Sequence, residues 1–236
     1  MAARPLFIPT AEGPTLVQTQ TVEFHWFPGM APSQRKKSAD SLHAAALELP
    51  GIDRVLDVSS KSREDLGIAL SAFNLEFTTR KFNHTLSVEC AYQGSKVFER
   101  GGPYTDLFTM TSREAKKDER LHSSGRLVGF HFFGIDWELE PQTAFYDWVY
   151  INALKKQSTL ADQLGRYSAF TDIEFNPERS VNCQAYSVAL FVSLCRHHLL
   201  DDATSSKDAF LRVIKATTIS NAREDQTLQP GLFHRS

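Results

Sequence analysis

The chain has 236 residues, of which 42% are apolar and 23% charged, values typical of one soluble globular domain with a modest extension. Its formal net charge of −2 argues against a protein that holds nucleic acid by general neutralisation of phosphates, although local recognition of a nucleic-acid substrate is compatible with it. No run of about 20 apolar residues occurs, so we expect no membrane span and no membrane partner.

The cysteines and the amino terminus indicate the compartment. The first residues lack the apolar stretch of a secretory signal. Cys90, Cys183 and Cys195 are odd in number and far apart, which fits reduced thiols better than a disulfide framework, so we expect a cytoplasmic protein. The run Cys195–His198 offers metal ligands only superficially, because adjacent helix positions point about 100° apart. We expect no metal site and no cofactor.

The first predicted elements are a strand, a helix and a second strand. An aromatic, β-like run extends from Val22 to Phe27. Ser33 is placed to cap a helix, although the cations in its early turns oppose the helix dipole. A strand over Ile52–Val58 then leads into the loop Ser59–Arg63. The hydroxyls and two cations of this loop are suited to holding a phosphate group, and the alternative is a solvated turn.

The segment Ser87–Phe98 is predicted to be a helix. At 100° per residue, Gln93 lies about 40° and Lys96 about 20° from Glu89 around the axis. A carboxylate, an amide and an amine then share one stripe at the edge of an apolar face, where burying charges is costly unless they are paired. The alternative is an ordinary Glu–Lys ion pair on a surface helix, since such pairs are common and weak.

The second half of the chain is predicted to contain more helix than strand. The expected elements are a strand over Leu127–Phe133, helices over Pro141–Leu154, Thr159–Tyr167 and Asn182–Leu200, and an extended run over Phe170–Phe175. If that run is extended, Asp172 and Glu174 share one face. Because βαβ alternation is not evident, the predicted fold class is α+β, predominantly helical with a small sheet.

Three separated pieces of this sequence resemble the NADAR (YbiA-like) domain family. They are Leu70–Leu75, Ser87–Lys96 and the acidic run Asp172–Glu174, which precedes a closing amphipathic helix. The resemblance is closer still to the NADAR antitoxins that are encoded beside DarT-type DNA ADP-ribosyltransferase toxins. The runs that resemble this branch are Glu23–Met30, Val58–Ser62 and Phe170–Pro177.

The resemblance implies a single YbiA-like domain and an activity. Residues 1–20 are expected to be an N-terminal extension, 21–200 a NADAR-like catalytic domain, and 201–236 a polar C-terminal tail. The implied activity is that of an N-glycosidase that removes ADP-ribose from guanine bases in DNA, reversing the toxin. The substrate is then guanine-linked ADP-ribosylated DNA, the product is ADP-ribose, and the cognate toxin is a candidate partner.

Four residues are catalytic candidates under this resemblance. Glu89 is assigned to positioning the ribose or to general base work. Lys96 either balances Glu89 and contacts the ribose or a phosphate, or attacks the anomeric carbon and forms a transient Schiff base. Asp172 and Glu174 are both candidates for a second carboxylate, acting as general acid or binding ribose hydroxyls.

Seven further residues are candidates for holding the ligand, and two alternative functions stay open. Three of the residues are expected near the diphosphate, one is expected to stack on a base, and three lie in the family motifs: Ser59, Lys61 and Ser62; Trp137; and Ser71, Asn74 and Gln93. The first alternative function is an N-glycosidase that acts on a small phosphoribosylated nucleotide. The second is a non-catalytic antitoxin that binds ADP-ribose or the toxin itself.

Overall fold

The structure is a computed structural model, and it describes residues 1–29, 31–79, 83–177 and 180–216. Met30, at the end of one family-like run, and residues 217–236 of the predicted tail lie outside the described residues. The fold class is α+β, as predicted. The prediction that the fold is predominantly helical with one small sheet is not confirmed. The described strands form three sheets, of four, two and three strands.

The strands and helices have the following bounds. The strands are β1 (Ala2–Pro9), β2 (Val17–Phe24), β3 (Val55–Asp57), β4 (Glu76–Thr78), β5 (Thr85–Ser87), β6 (Lys96–Phe98), β7 (Leu127–Phe132), β8 (Ile135–Trp137) and β9 (Ala169–Thr171). The α-helices are α1 (Pro32–Leu47), α2 (Asp65–Ala69), α3 (Val88–Gly94), α4 (Ser112–Lys117), α5 (Arg120–Ser123), α6 (Ala144–Lys155), α7 (Ser158–Ala161), α8 (Gln184–Arg196), α9 (Leu200–Ala203) and α10 (Lys207–Ala216).

The four-stranded sheet has the order β2-β1-β9-β3. β1 pairs antiparallel with β2 over its whole length and with β9 on its other side, while β9 runs parallel to β3. Residues 1–20, expected to be an extension, therefore supply β1 and half of β2, and a boundary at residue 20 does not separate them from the sheet. The parallel pair brings Asp57 opposite Thr171, so the chain leaves both strands at the same edge.

The main core lies between this sheet and the helices α3, α6 and α8. Ten consecutive residues of α8, from Ala185 to Leu194, are buried, and the helix packs on β1, β9 and α6. Phe7 and Phe170 from the sheet are fully buried with Tyr150 of α6. Each such side chain contributes about 1.5–3 kcal/mol of burial free energy, so this cluster accounts for much of the stability.

The predicted helix Ser87–Phe98 is wrong in its second half. Ser87 caps α3 by accepting a hydrogen bond from the Cys90 N–H at 3.1 Å, but the helix ends at Gly94. A Cβ on Gly94 would lie 2.6 Å from the Phe108 ring, so only glycine fits there, and glycine weakens the helix. Lys96 instead begins β6, opposite Phe130 of β7.

The extended run predicted over Phe170–Phe175 ends early. β9 stops at Thr171, and the Phe175 N–H donates to the Asp172 carbonyl, which closes a turn. The Asp172 carboxylate also accepts the Glu174 N–H at 2.9 Å, the typical way in which aspartate stabilises a turn. Asp172 and Glu174 therefore do not share a face: the first is buried and the second is exposed.

The described part of the predicted C-terminal tail is packed on the domain. Residues 201–216 contain most of α9 and all of α10, which contacts α9 and α6. Phe210 is fully buried, and Val213 and Ile214 are nearly so. The apolar residues at i, i+3 and i+4 give α10 one buried face. In the described ranges, no helix has both the length and the apolar character needed to cross a membrane.

Candidate active site

A cleft of about 850 Å³ opens at the edge of the main sheet where β3 and β9 end. Its volume lies in the range of pockets that enclose small-molecule ligands. Loops from the sheet form one side, and α3, β6 and the first residue of α8 form the other. Seven of the predicted residues line it: Ser59, Lys61, Glu89, Gln93, Lys96, Asp172 and Glu174.

Glu89 and Gln93 form a fixed pair on the cleft side of α3. The backbone N–H of Glu89 donates to the Ala72 carbonyl at 2.9 Å, which anchors the first turn of the helix. One turn later, Gln93 Nε2 donates to Glu89 Oε1 at 2.8 Å. Both side chains are buried, and Gln93 Oε1 has no hydrogen-bond partner within the described residues. A buried acceptor without a donor suits a ligand that supplies an N–H or O–H group.

The cation closest to Glu89 is Lys116 of α4. Its Nζ lies 3.9 Å from Glu89 Oε1 and 5.0 Å from the centre of the Phe73 ring. The alternative prediction of a Glu89–Lys96 ion pair on one helix is therefore wrong. Sequence reasoning missed Lys116, because no local periodicity connects α4 with α3.

Lys96 enters the same cleft from the first position of β6. Its Nζ lies 4.7 Å from the centre of the Tyr92 ring and forms no hydrogen bond or ion pair with any residue that the structure describes. Burial lowers the pKa of Lys96 to about 8; the charge of Glu89 opposes this shift and that of Lys116 adds to it. About a tenth of the amine is then neutral at pH 7, which makes it available as a nucleophile.

Asp172 is the buried carboxylate of the cleft. Burial and the charge of Asp57 raise the pKa of Asp172 to about 7. Burial likewise raises the pKa of Asp57 to about 6. Within the described ranges neither carboxylate forms an ion pair with a lysine, arginine or histidine. Two neighbouring buried carboxylates that form no ion pair with the described residues favour a state that holds a proton, so Asp172 can act as an acid near neutral pH.

Gln184, the first residue of α8, fixes Asp172 and was missed by sequence reasoning. Its Oε1 accepts from the Ala72 N–H at 2.8 Å, and its Nε2 donates to Asp172 Oδ2 at 3.0 Å and to the Val58 carbonyl at 2.7 Å. One amide therefore links the end of β3, the turn after α2 and the acid. The only signal in the sequence was its place at the start of a predicted helix.

The loop after β3 places some of its hydroxyls in the cleft. Ser59 donates to Asp57 Oδ2 at 3.0 Å and accepts from the Lys61 N–H at 3.2 Å. The exposed Lys61 side chain and Ser60 also line the cleft. The Ser62 hydroxyl accepts from the Glu64 N–H at 3.3 Å, and Ser62 is not among the residues that line the cleft.

Three more predicted ligand contacts are not brought to the cleft. Ser71 is buried beneath it, and Asn74 is exposed elsewhere, with its Nδ2 bonded to the Ile68 carbonyl. Trp137 is 3% exposed, and its ring centre lies 5.2 Å from that of Trp148, so it belongs to the core. Ser71 and Asn74 were predicted from family-like motifs, and Trp137 was predicted from the chemistry of its indole. Neither kind of evidence determines the direction in which a side chain points.

Aromatic and cationic groups that the sequence did not single out complete the cleft. Phe73 and Tyr92 present rings to it, and Asn182 Nδ2 donates to the Tyr92 hydroxyl at 2.7 Å. Arg4 of β1 reaches the opposite rim and donates to the Ile173 carbonyl at 3.0 Å. It was missed because residues 1–20 were set apart as an extension. No group of three or more metal-ligating side chains was found among the described residues.

A comparison with protein families now complements this geometry. A family model described as "DarT1-associated NADAR antitoxin" matches residues 2–224. The matched range includes β1 and α10, which the sequence placed outside the catalytic domain. A search of curated proteins finds no match.

Proposed function

Because the chain belongs to the family of DarT1-associated NADAR antitoxins, we propose that it neutralises its toxin by hydrolysis, removing ADP-ribose from guanine bases in DNA. The observation that carries this proposal is the amine of Lys96, which forms no ion pair or hydrogen bond with the described residues and lies beside Glu89 in a cleft of about 850 Å³. An amine that has a lowered pKa and is not held in an ion pair is a feature of covalent catalysis at a carbonyl-like carbon.

The reaction needs two charges to be stabilised. As the bond between the anomeric carbon and the guanine nitrogen breaks, positive charge develops on the sugar and negative charge on the leaving base. In our proposal the Glu89 carboxylate faces the sugar, held by Gln93 and balanced by Lys116. Asp172 donates a proton to the leaving base, since its raised pKa keeps part of it protonated at neutral pH.

Lys96 is proposed as the nucleophile. Its Nζ attacks the anomeric carbon and displaces the base, and the ribose ring then opens to a protonated Schiff base with Lys96. One water adds to this carbon and releases ADP-ribose and the free amine, so the overall reaction consumes one water. Lys116 takes the charge-balancing role, which leaves Lys96 free for attack.

The remaining groups of the cleft suit the rest of the ligand. Ser59, Ser60 and Lys61 would hold the diphosphate at the sheet edge, where hydroxyl donors and a cation meet. The rings of Phe73 and Tyr92 would stack on a base. In this arrangement Glu174, which is exposed, stays at the rim and is not the general acid.

The test is release of ADP-ribose from single-stranded DNA that carries ADP-ribosylated guanine. Wild-type protein should release it, whereas Lys96→Ala and Glu89→Gln should lose at least about 100-fold in rate. Lys117→Ala is the matched control, because Lys117 is the exposed neighbour of Lys116. Borohydride should trap an adduct with the wild type and not with Lys96→Arg.

Two results would contradict the proposal. Folded wild-type protein that binds the toxin tightly but releases no ADP-ribose would be a non-catalytic antitoxin. Release from a phosphoribosylated nucleotide but not from DNA would instead assign the chemistry to a small metabolite.

A further inference from the structure

An aromatic loop follows β2 and lies against α1, outside the reaction proposed above. The backbone N–H of His25 donates to Ser41 Oγ at 3.0 Å, and that of Phe27 donates to Ser38 Oγ at 2.9 Å. These two serines, one turn apart on α1, fix the loop to the helix. His25 is nevertheless exposed, and Trp26 is 36% exposed, which is unusual for an indole in a well-anchored loop.

Three consecutive cations, Arg35–Lys37, lie beside this loop in the early turns of α1. The first turn contains no acidic residue, so these charges oppose the positive end of the helix dipole and weaken the helix. Lys37 Nζ lies 5.8 Å from the centre of the Phe27 ring. The acid on the same helix, Asp40, is paired with Arg63 instead. Among the described residues none of the three cations forms an ion pair, which leaves a local excess of positive charge.

Arg4 connects this surface with the candidate active site. Its guanidinium carbon lies 5.6 Å from the centre of the Trp26 ring, and the same side chain lines the cleft. Its Nε is anchored on the Ile173 carbonyl, next to Asp172. Arg4 therefore lies between the cleft and the indole of Trp26.

We propose that the Trp26 platform, formed by His25–Phe27 and Arg35–Lys37, binds the single-stranded DNA that flanks the modified base. A neighbouring base stacks on the indole, and the cations of α1 contact the phosphates. Exposed aromatic rings interleaved with unpaired cations are typical of surfaces that bind single strands. A small patch of this kind is compatible with a net charge of −2, which argues against a broad basic surface.

The test is the affinity of the full chain for unmodified, labelled single-stranded oligonucleotide, measured by fluorescence anisotropy at several salt concentrations. Trp26→Ala should weaken binding about tenfold. Lys36→Gln with Lys37→Gln should reduce the slope of log K against log salt by about 1.4, at about 0.7 per phosphate contact. The matched controls are Phe133→Ala, an exposed aromatic in the turn between β7 and β8, and Lys215→Gln, on α10. Both should bind as the wild type.

A fluorescence measurement distinguishes loss of DNA binding from loss of folding. Stacking on Trp26 should quench tryptophan fluorescence when oligonucleotide is added, and Trp26→Phe should retain most of the affinity without this quenching. Trp137 is buried and Trp148 packs against it, so they supply a constant background. A duplex of the same sequence should bind more weakly, because its bases are already stacked.

The inference rests on the proposed function, but the two fail separately. Binding of unmodified DNA involves no turnover. If the wild-type protein released no ADP-ribose, the hydrolase proposal would be wrong, but binding of DNA at the Trp26 platform would be unaffected. Unchanged affinity and salt slope in the Trp26 and lysine variants would overturn the platform alone. If the variants bound purified toxin more weakly than the wild type but bound oligonucleotide equally well, the surface would be a protein interface. The assignment to DNA would then be wrong.

Discussion

Asp57 is the last residue of β3, and Asp172 is the first residue after the parallel neighbour β9, so both buried carboxylates lie at the same edge of the sheet. The Ile173 N–H donates to Asp57 and the Glu174 N–H donates to Asp172, each at about 3 Å, so the same turn holds both acids. Asp57 does not line the cleft, but its charge raises the pKa of Asp172. In the proposed hydrolase, it is a positioning residue for the general acid.

Asp57→Asn should therefore move the pH dependence of the reaction. The acid works only when protonated, and its pKa of about 7 lies below the pKa of about 8 of Lys96, which must be neutral. With the two pKa values in this order, the pKa of Asp172 sets the acid limb of the profile and that of Lys96 sets the alkaline limb. Removing the neighbouring charge lowers the pKa of Asp172, so the acid limb should shift to lower pH by roughly one unit and the rate above it should fall. A pH profile of kcat/KM measures this shift. A change in rate that is equal at every pH would contradict it.

Gln184→Glu should shift the same limb in the opposite direction. The new carboxylate keeps the acceptor for the Ala72 N–H but removes the donor to Asp172 and places a like charge beside it. The pKa of Asp172 should rise, and the unfolding free energy should fall by about 3 kcal/mol. Denaturant unfolding and the pH profile measure the two effects.

Gln142→Glu, in an exposed loop, is the control for this charge change. It should alter neither the pH profile nor the unfolding free energy by more than about 0.5 kcal/mol. A shift of the Gln184→Glu limb to lower pH would show that the amide does not act on Asp172.

The sequence predicted the local parts of this site and missed the contacts that the fold creates. The spacing of four residues predicts Glu89 and Gln93 on one stripe of a helix, and their hydrogen bond confirms that they share it. Lys96 reaches the cleft although α3 ends at Gly94, two residues before it, instead of extending to Phe98 as predicted. Gly94 followed by Ser95, with the β-branched Val97 two residues later, was the available signal for that ending.

The carboxylate pair and the cation near Glu89 depend on long-range pairing. β3 and β9 are more than 100 residues apart, so their parallel register cannot be read from either segment. Asp57 did carry a signal, as a charged residue at the end of an otherwise apolar strand. Lys116 carried none, since it sits in a charged helix whose neighbours in the fold are set by tertiary packing.

Lys116→Met should raise the pKa of Lys96, because the charge of Lys116 lowers it. In the proposed mechanism the amine attacks in its neutral form, and its pKa lies above that of Asp172, so it sets the alkaline limb. That limb should move to higher pH, and the rate at pH 7 should fall several-fold. Borohydride trapping as a function of pH reports the same ionisation directly. Lys117→Met is the control, and a wild-type alkaline limb in Lys116→Met would argue that the two amines are not coupled.

Asp147 provides a pH effect on stability that is separate from the cleft. It is buried in α6, where Thr143 and Ser187 each donate a hydroxyl to it at 2.6 Å, and burial raises its pKa to about 7. Because the folded state binds this proton more tightly than the unfolded state, the stabilisation is complete below about pH 4. It is lost as the pH rises to about 7, at about 1.4 kcal/mol per pH unit.

In Asp147→Asn, the unfolding free energy should fall less steeply between pH 4 and 7, by about 1.4 kcal/mol per pH unit, since the amide does not ionise. Denaturant unfolding measures this difference. The hydroxyls of Thr143 and Ser187 can rotate to accept from the new amide, so the variant should fold. Asp57 and Asp172, whose pKa values are also raised, should keep a residual slope of the same sign. The pH profile of ADP-ribose release should not change, because Asp147 is not among the residues that line the cleft. A variant with the full wild-type slope would mean that Asp147 is already ionised at pH 4 in the folded protein.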